Sequence, residues 1–320
     1  MKAFVAPRYG SPDVLELKDV DAPSPGDNQI LVKVRAASIN AYDSHMLRGE
    51  PVLARLMMGL RKSPDSRPGA DIAGTVEAVG KDVTRFRPGD DVFGDIGKGG
   101  FAEYACAKES LFALKPARIS FEEAAATTMA AITALQGLRD KGQIKAGQTV
   151  VIDGAGGGVG TFAVQIARYF GAEVTAVCGS HNQEVARSIG ADHVIDYTRE
   201  DFTKNGRRYD LIFAANGHHS VMAYLRALNA GGTFVLAGGS MALIAQLALM
   251  ARMISRLGSK KALFYMARLN IEDMDCLKTL LESGAVKPVI DRRYRFVEIP
   301  EAIRYLEQGH ARGKIVITVA

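Results

Sequence analysis

From Val151 to Cys178 the chain reads "VIDGAGGGVGTFAVQIARYFGAEVTAVC", with five glycines in the seven residues from Gly154 to Gly160. Few folds accommodate such a stretch. Residues without a Cβ let the backbone take positive φ and let another group approach closely. The apolar run before the glycines has strand character, and the run after them has helix character. A helix starting at Gly158 would point free N–H groups and a positive dipole end at whatever sits on the turn, which suits a phosphate. With "EVTAVC" following as a second strand, the spacing is that of a βαβ dinucleotide fingerprint. Its frame opens either at Gly154 or at Ala155, with Gly157 and Gly160 as the fixed glycines in the second case. Gly154, Gly156, Gly157, Gly158, Val159 and Gly160 are the candidate phosphate-binding residues.

A dinucleotide unit that takes NAD usually closes its second strand with Asp or Glu, which bonds the ribose 2′-hydroxyl. This chain has Cys178-Gly179-Ser180-His181-Asn182 there. No carboxylate in that run would repel a 2′-phosphate. Gly179, Ser180 and Asn182 could donate to one, and Tyr197 or Arg187 could reach it, so the expected cofactor is NADP(H). Asn216-Gly217 and Gly238-Gly239 follow the fourth and fifth strands, and such strand ends line the cofactor crevice of open α/β sheets.

The 320 residues suffice for about two domains. Residues 1–120 read as short strands, among them "VLELKDV", "QILVKVRAASIN", "DIAGTVEAVG" and "GFAEYACAKES", separated by the turn clusters "APSPGD", "RPGAD" and "FRPGDDVFG". Ser120 and Glu123 form a capping-box pattern opening a helix, and a second helix is expected over 129–140. Strands "TVVIDG", "EVTAVC", "HVIDY", "YDLIFAA" and "GTFVLAG" then alternate with helices near 158–170, 183–189 and 218–228, the pattern of a parallel sheet. After about residue 287 the pattern turns back to "PVIDRRYRF", a helix over 300–308 and "GKIVITV". The expected fold is α/β: a β-barrel domain over 1–120 completed by 286–320, and a doubly wound nucleotide-binding domain over 121–285.

The net charge of +5 suits acidic small molecules and gives no basic stripe for nucleic acid. Three dispersed cysteines, Cys106, Cys178 and Cys276, argue against a disulfide framework. The N-terminal residues lack the apolar core of a signal peptide, and "MALIAQLALMA" from Met241 is too short to span a bilayer and reads as a buried or cleft-lining helix. The expected location is the cytoplasm.

Taken together, "AASINAYDSHMLRG", "PGADIAGTVEAVG", "RPGDDVFG", "GGFAEYACAKES", "AATTMAAITALQGL", "GAGGGVG", "GADHVIDY" and "GHARGKIVI" resemble the medium-chain dehydrogenase/reductase superfamily. The resemblance covers nearly the whole chain and is nearest to the zinc-free, zeta-crystallin-like quinone oxidoreductases. It implies a GroES-like domain plus a Rossmann domain, with cofactor and substrate in the cleft between them, and family habit suggests a homodimer. The zinc alcohol dehydrogenases carry a Cys ligand where this chain has Asn40, and a Gly-His-Glu segment where it has Gly69-Ala70-Asp71. A catalytic zinc needs about three side-chain ligands, so no zinc is expected. His218-His219 has no ligand spacing and reads as solvent-facing.

Without a Lewis acid, alcohol oxidation gives way to substrates that accept hydride readily, quinones and α,β-unsaturated carbonyls. The expected function is NADPH-dependent reduction of one of these. The alternative is an NADPH-binding regulatory or RNA-binding protein with little turnover. Asn40, Tyr42, Asp43 and His45 are the substrate-side candidates, with a turn-and-cap role as the rival for Asn40 and Asp43. His45 stands where quinone reductases often have Tyr. The resemblance places Thr127 and Thr133 near the nicotinamide and suggests that Arg312 or Lys314 contacts the cofactor. The insertion over 241–269 would shape an apolar pocket or meet a second subunit, and Lys260 and Lys261 could approach the phosphates.

Overall fold

A computed structural model describes residues 1–50, 55, 66–257 and 259–319. Gly258, inside the insertion expected over 241–269, lies outside the described residues. In chain order the first strands are β1 (Lys2–Val5), β2 (Glu16–Asp19), β3 (Gln29–Ile39), β4 (Asp71–Val79), β5 (Asp91–Asp95), β6 (Tyr104–Lys108) and β7 (Phe112–Leu114). Helix α1 (Ala41–Arg48) follows β3, and α2 (Phe121–Ala125) follows β7. Next come α3 (Thr128–Gln136), β8 (Thr149–Asp153), α4 (Gly158–Tyr169), β9 (Glu173–Cys178), α5 (Gln183–Ser188), β10 (His193–Asp196) and β11 (Tyr209–Ala214). The chain continues through α6 (Val221–Arg226), β12 (Leu228–Leu236), α7 (Met241–Leu257), β13 (Lys261–Phe264) and α8 (Ile271–Ser283), and ends with β14 (Ile290–Arg295), α9 (Ile299–Glu307) and β15 (Lys314–Thr318).

Two compact units emerge, one of residues 1–129, 269–282 and 290–320, the other of 130–268 and 283–289. The sequence changes character near 120 and 286, whereas packing assigns α2 and most of α8 to the first unit. Glu122 explains the first of these: it accepts from Arg293 Nε at 2.6 Å and Thr318 Oγ1 at 2.8 Å, both on the returning C-terminal strands. Arg118 likewise donates to the Glu282 carbonyl at the end of α8.

The first unit is built on a sheet in the order β14-β15-β3-β4-β5-β7, with β6 also pairing β3. Strand β3 alternates buried and part-exposed residues along its first half and is buried throughout its last four, as expected for a strand covered on both faces at that end. Its Ile30, Val32, Val34 and Ile39 join Ile72, Val92, Phe101, Phe112, Ile303 and Ile317 in one core. The "FRPGDDVFG" stretch, expected as turn punctuation, contains β5: the Pro-Gly turn is followed by Val92 and Phe93, both fully buried.

The second unit carries an all-parallel six-stranded sheet in the order β10-β9-β8-β11-β12-β13. In unit-local numbering this is 3-2-1-4-5-6, the doubly wound order whose reversal lies between its first and fourth strands, here β8 and β11. Val150, Val151, Ile152, Leu211, Ile212 and Phe213 are fully buried, as central parallel strands require. The helix expected over 129–140 is α-helical only to Gln136 and continues as a π turn over Gly137–Lys141. A Cβ at Gly137 would stand 2.2 Å from the Phe213 ring, so this turn lies hard against the sheet. Helix α7 is not buried all round: Leu243, Leu247 and Ile254 face the core while Leu249 is 85% exposed. Among the described residues no helix is long and apolar enough to cross a membrane.

Candidate functional site

A row of polar side chains crosses one end of the first unit's sheet. Strand register explains how residues so far apart in sequence meet. Ile315 pairs with Ile39, so Lys314 falls opposite Asn40, just past the last pair of β15 with β3. Ser38 pairs with Asp71, and Asp71 with Asp95. Four neighbouring strands thereby deliver Lys314, Asn40, Asp71 and Asp95 to one edge.

The bonds in this row are nearly complete. Lys314 Nζ donates to Asn40 Oδ1 at 2.5 Å and lies 3.8 Å from Asp71 Oδ2. Asn40 Nδ2 donates to Asp71 Oδ2 at 3.0 Å, and Ser38 Oγ donates to the same oxygen at 3.2 Å. The Met129 N–H donates to Asp71 Oδ1 at 3.1 Å. Asp43 Oδ2 accepts from the Asn40 N–H at 2.8 Å, capping α1, and its Oδ1 accepts from the Ala70 N–H at 3.1 Å. Lys314 is 3% exposed and Asp71 is fully buried. A buried ion pair recovers its desolvation cost only through such bonding.

Burial dominates the electrostatics. It pushes Asp71 up, opposed by the Lys314 ammonium, and pushes Lys314 down, opposed by Asp71. Burial raises Asp43 to about 7 and Asp95 to about 7, with Asp71 adding to both. Tyr42 stands on α1 beside this row, 37% exposed. Burial raises its hydroxyl pKa, and the carboxylates of Asp95 and Asp43 raise it further, so it stays protonated at neutral pH. His45, one turn along α1, is exposed. Ser44 and Arg48 both bond Glu307, which fixes α1 to α9.

In the second unit, β8 turns into α4 through Gly154–Gly157. Gly154 takes φ +87°. A Cβ on Gly160 would stand 2.1 Å from the Gly154 carbonyl oxygen, so no larger residue fits there. Gly157 is the N-cap, with no side chain to close the helix end, so the first N–H groups of α4 are left for a ligand. Asn182 comes against this turn, its Nδ2 2.3 Å from where a Gly156 Cβ would be, and its buried Oδ1 has no hydrogen-bond partner among the described residues. Beyond β9, the Tyr197 hydroxyl lies 3.1 Å from where a Gly179 Cβ would be. Gly217 and Gly239, after β11 and β12, form a parallel bridge.

Ser180, expected to face a 2′-phosphate, instead donates from Oγ to Asp196 Oδ2 at 2.5 Å. Asp196 pairs with Cys178 across β10 and β9, so a carboxylate stands one strand over from the position where sequence spacing looks for it. Bonds from Ser180 and Thr198 hold it down at about 2, and Gln183 Nε2 also donates to it. Thr127 is buried with Oγ1 donating to the Glu123 carbonyl, and the Thr133 carbonyl accepts from the Tyr265 hydroxyl. Arg312 is exposed, its N–H bonded to Asp291, whereas Lys314 is committed to the buried row. Lys260 Nζ donates to the Leu225 carbonyl at 2.7 Å. Sequence reasoning singled out Asn40, Asp43 and Lys314 separately. Ser38, Asp71 as their partner and Asp95 were missed, because only strand register brings them in.

A GroES-like β unit with a capped, polar-lined end and a doubly wound unit with a side-chain-free strand-to-helix turn together define the class. The chain belongs to the medium-chain dehydrogenase/reductase superfamily, in its quinone oxidoreductase branch. Residues 26–117 match the family described as alcohol dehydrogenase GroES-like domain, and 189–317 match that described as zinc-binding dehydrogenase. The chain is 34% identical to a 2-methylene-furan-3-one reductase of Solanum lycopersicum, over 99% of this chain and 79% of the relative. It is 32% identical to an NADPH-dependent alkenal/one oxidoreductase, chloroplastic, of Arabidopsis thaliana, with the same coverage. Among solved structures, the quinone oxidoreductase from Coxiella burnetii superposes with a TM-score of 0.87 at 30% identity, covering 100% of this chain and 99% of the other.

Proposed function

We propose that this protein is an NADPH-dependent reductase that adds hydride to an α,β-unsaturated carbonyl or a quinone without zinc. The relatives named as an alkenal/one oxidoreductase and as a quinone oxidoreductase support the reaction class. One structural observation carries the metal-free reading. At the place where the zinc alcohol dehydrogenases hold their metal, the Lys314 ammonium bonds Asn40 Oδ1 and faces Asp71. Asn40 spends its oxygen on Lys314 and its amide on Asp71. A dication would have to displace an internal cation and break a bonded row, so these residues do not fit zinc.

The nucleotide is expected on the Gly154–Gly160 turn, where Gly154 takes a positive φ, Gly160 packs against the Gly154 carbonyl, and α4 offers its free N–H groups. Asn182, whose amide lies against Gly156, is the side chain expected to contact the ribose. When bound, the nicotinamide supplies a hydride, and binding and orientation are the work of the chain. Addition at the β-carbon of an enone leaves an enolate that needs one proton at the α-carbon, and a quinone needs protons at oxygen. Tyr42, half-exposed and protonated at neutral pH, is the group on α1 best placed to give one. The buried row beneath holds α1 in position through the Asp43 cap.

The test is steady-state NADPH oxidation across naphthoquinones, enones, enals and saturated aldehydes, repeated with NADH and after chelator treatment. Turnover of enones or quinones that survives chelation supports the proposal. Turnover restored only by added zinc refutes it.

A further inference from the structure

The mechanism makes no use of a second cluster, at the reversal point of the parallel sheet. Ala214 pairs with Asp153 across β11 and β8, so the residues just after β11 come up beside the end of β8. Asp153, His218 and His219 meet there, and one ligand atom from each lies within 4.8 Å of the other two. His218 Nδ1 is 3.9 Å from Asp153 Oδ2.

Two imidazoles and a carboxylate form the donor set of borderline divalent metals, rather than the all-oxygen set of calcium or magnesium. The surroundings fix each donor. Asp153 is buried, and its Oδ2 accepts from the Tyr224 hydroxyl at 2.6 Å. The Tyr224 hydroxyl thus fixes the carboxylate, as outer partners orient metal ligands. The His219 ring lies edge-on to Phe202 and Tyr224, at 5.4 and 5.6 Å between centroids, and 4.1 Å from the His218 ring. Asp201 Oδ1 stands 3.8 Å from His219 Nε2 and adds negative charge. The His218 side chain is 52% exposed, which leaves one side open to water. Metal–ligand bonds of about 2.0–2.2 Å bring donor atoms to roughly 3.5 Å from one another, so small side-chain rotations close the set.

We propose that Asp153, His218 and His219 form a binding site for a single divalent transition-metal ion of the zinc or cobalt type. It stands at the strand ends beside the glycine turn. Binding is read without nucleotide or substrate, so it succeeds or fails independently of the proposed reductase activity.

The test is titration of the full chain, stripped with chelator, with Co²⁺ by visible spectroscopy and with Zn²⁺ by calorimetry. The expected result is one ion per chain and a rise in Tm with added Zn²⁺. His218→Ala and His219→Ala, each checked for native circular dichroism, should each weaken binding by roughly 10-fold or more. His218 is half-exposed, so its variant keeps the fold even if the His219 variant does not. No saturable binding by the wild type, or wild-type affinity in either folded variant, overturns the site.

Discussion

Lys314 and Asn40, 274 positions apart in the chain, share a hydrogen bond in which the ammonium donates to Oδ1. One residue opens the last strand and the other follows β3 as the N-cap of α1. Their meeting sets a side-chain cation 3.8 Å from the buried Asp71 carboxylate.

Removing that cation should be costly. Lys314→Met leaves the Asp71 carboxylate buried and facing no charge, and a loss of roughly 3–5 kcal/mol is expected for breaking one side of such a pair. Denaturant unfolding measures it. Lys314→Met combined with Asp71→Asn should lose clearly less than the sum of the single changes, and strict additivity would show that the two do not interact.

The glycine turn admits a sharp steric test. Gly160→Ala places a methyl 2.1 Å from the Gly154 carbonyl oxygen. The turn must open, at a cost of about 1–3 kcal/mol, and nucleotide affinity should fall with it. Unchanged Tm and unchanged NADPH titration would contradict this geometry.

Much of this turn is readable in the sequence because its physics is local: strand, turn and helix follow one another directly, and Gly160 answers the Gly154 carbonyl a few positions before it. The row of Lys314, Asn40, Asp71 and Asp95 is different. Asn40 and Asp43 announce a cap, but nothing near Lys314 says that its partners are Asn40, just after β3, and Asp71 on β4. A lysine beside glycine before a strand reads as a surface or cofactor cation until the β15–β3 register buries it. His219 was obscured in the same way, since the β11–β8 pairing brings Asp153 beside it. The Ser180–Asp196 bond also crosses strands, and spacing along β9 alone does not reveal it.

Stability should be higher at pH 5 than at pH 8. Asp43 and Asp95 are raised to about 7 and Asp153 to about 6, so the folded state holds protons that the unfolded chain releases near 4. Their contribution is fully present below about pH 4 and is lost as pH rises through 6–7, on the order of 4 kcal/mol for Asp43 alone. Asp201, lowered to about 2, works in the opposite sense, but only below about pH 4. Burial also raises Asp71, which adds to the trend, and lowers His219 and Lys314, which oppose it. Urea midpoints across pH 5–8 check this, and a midpoint that stays level or climbs toward pH 8 would show that these carboxyls do not hold protons in the folded protein.

Tyr42→Phe removes the proposed proton source and little packing, since the ring is part-exposed. Its kcat for an enone should fall by roughly 10²-fold with KM for NADPH nearly unchanged. An unaltered kcat would assign the proton to solvent.

The most direct measurement is kcat/KM for an enone and a naphthoquinone with NADPH and with NADH, on chelator-treated protein. The account predicts turnover at full rate without metal, with NADPH preferred. Activity that vanishes on chelation and returns with zinc, or that uses NADH in preference, would contradict it.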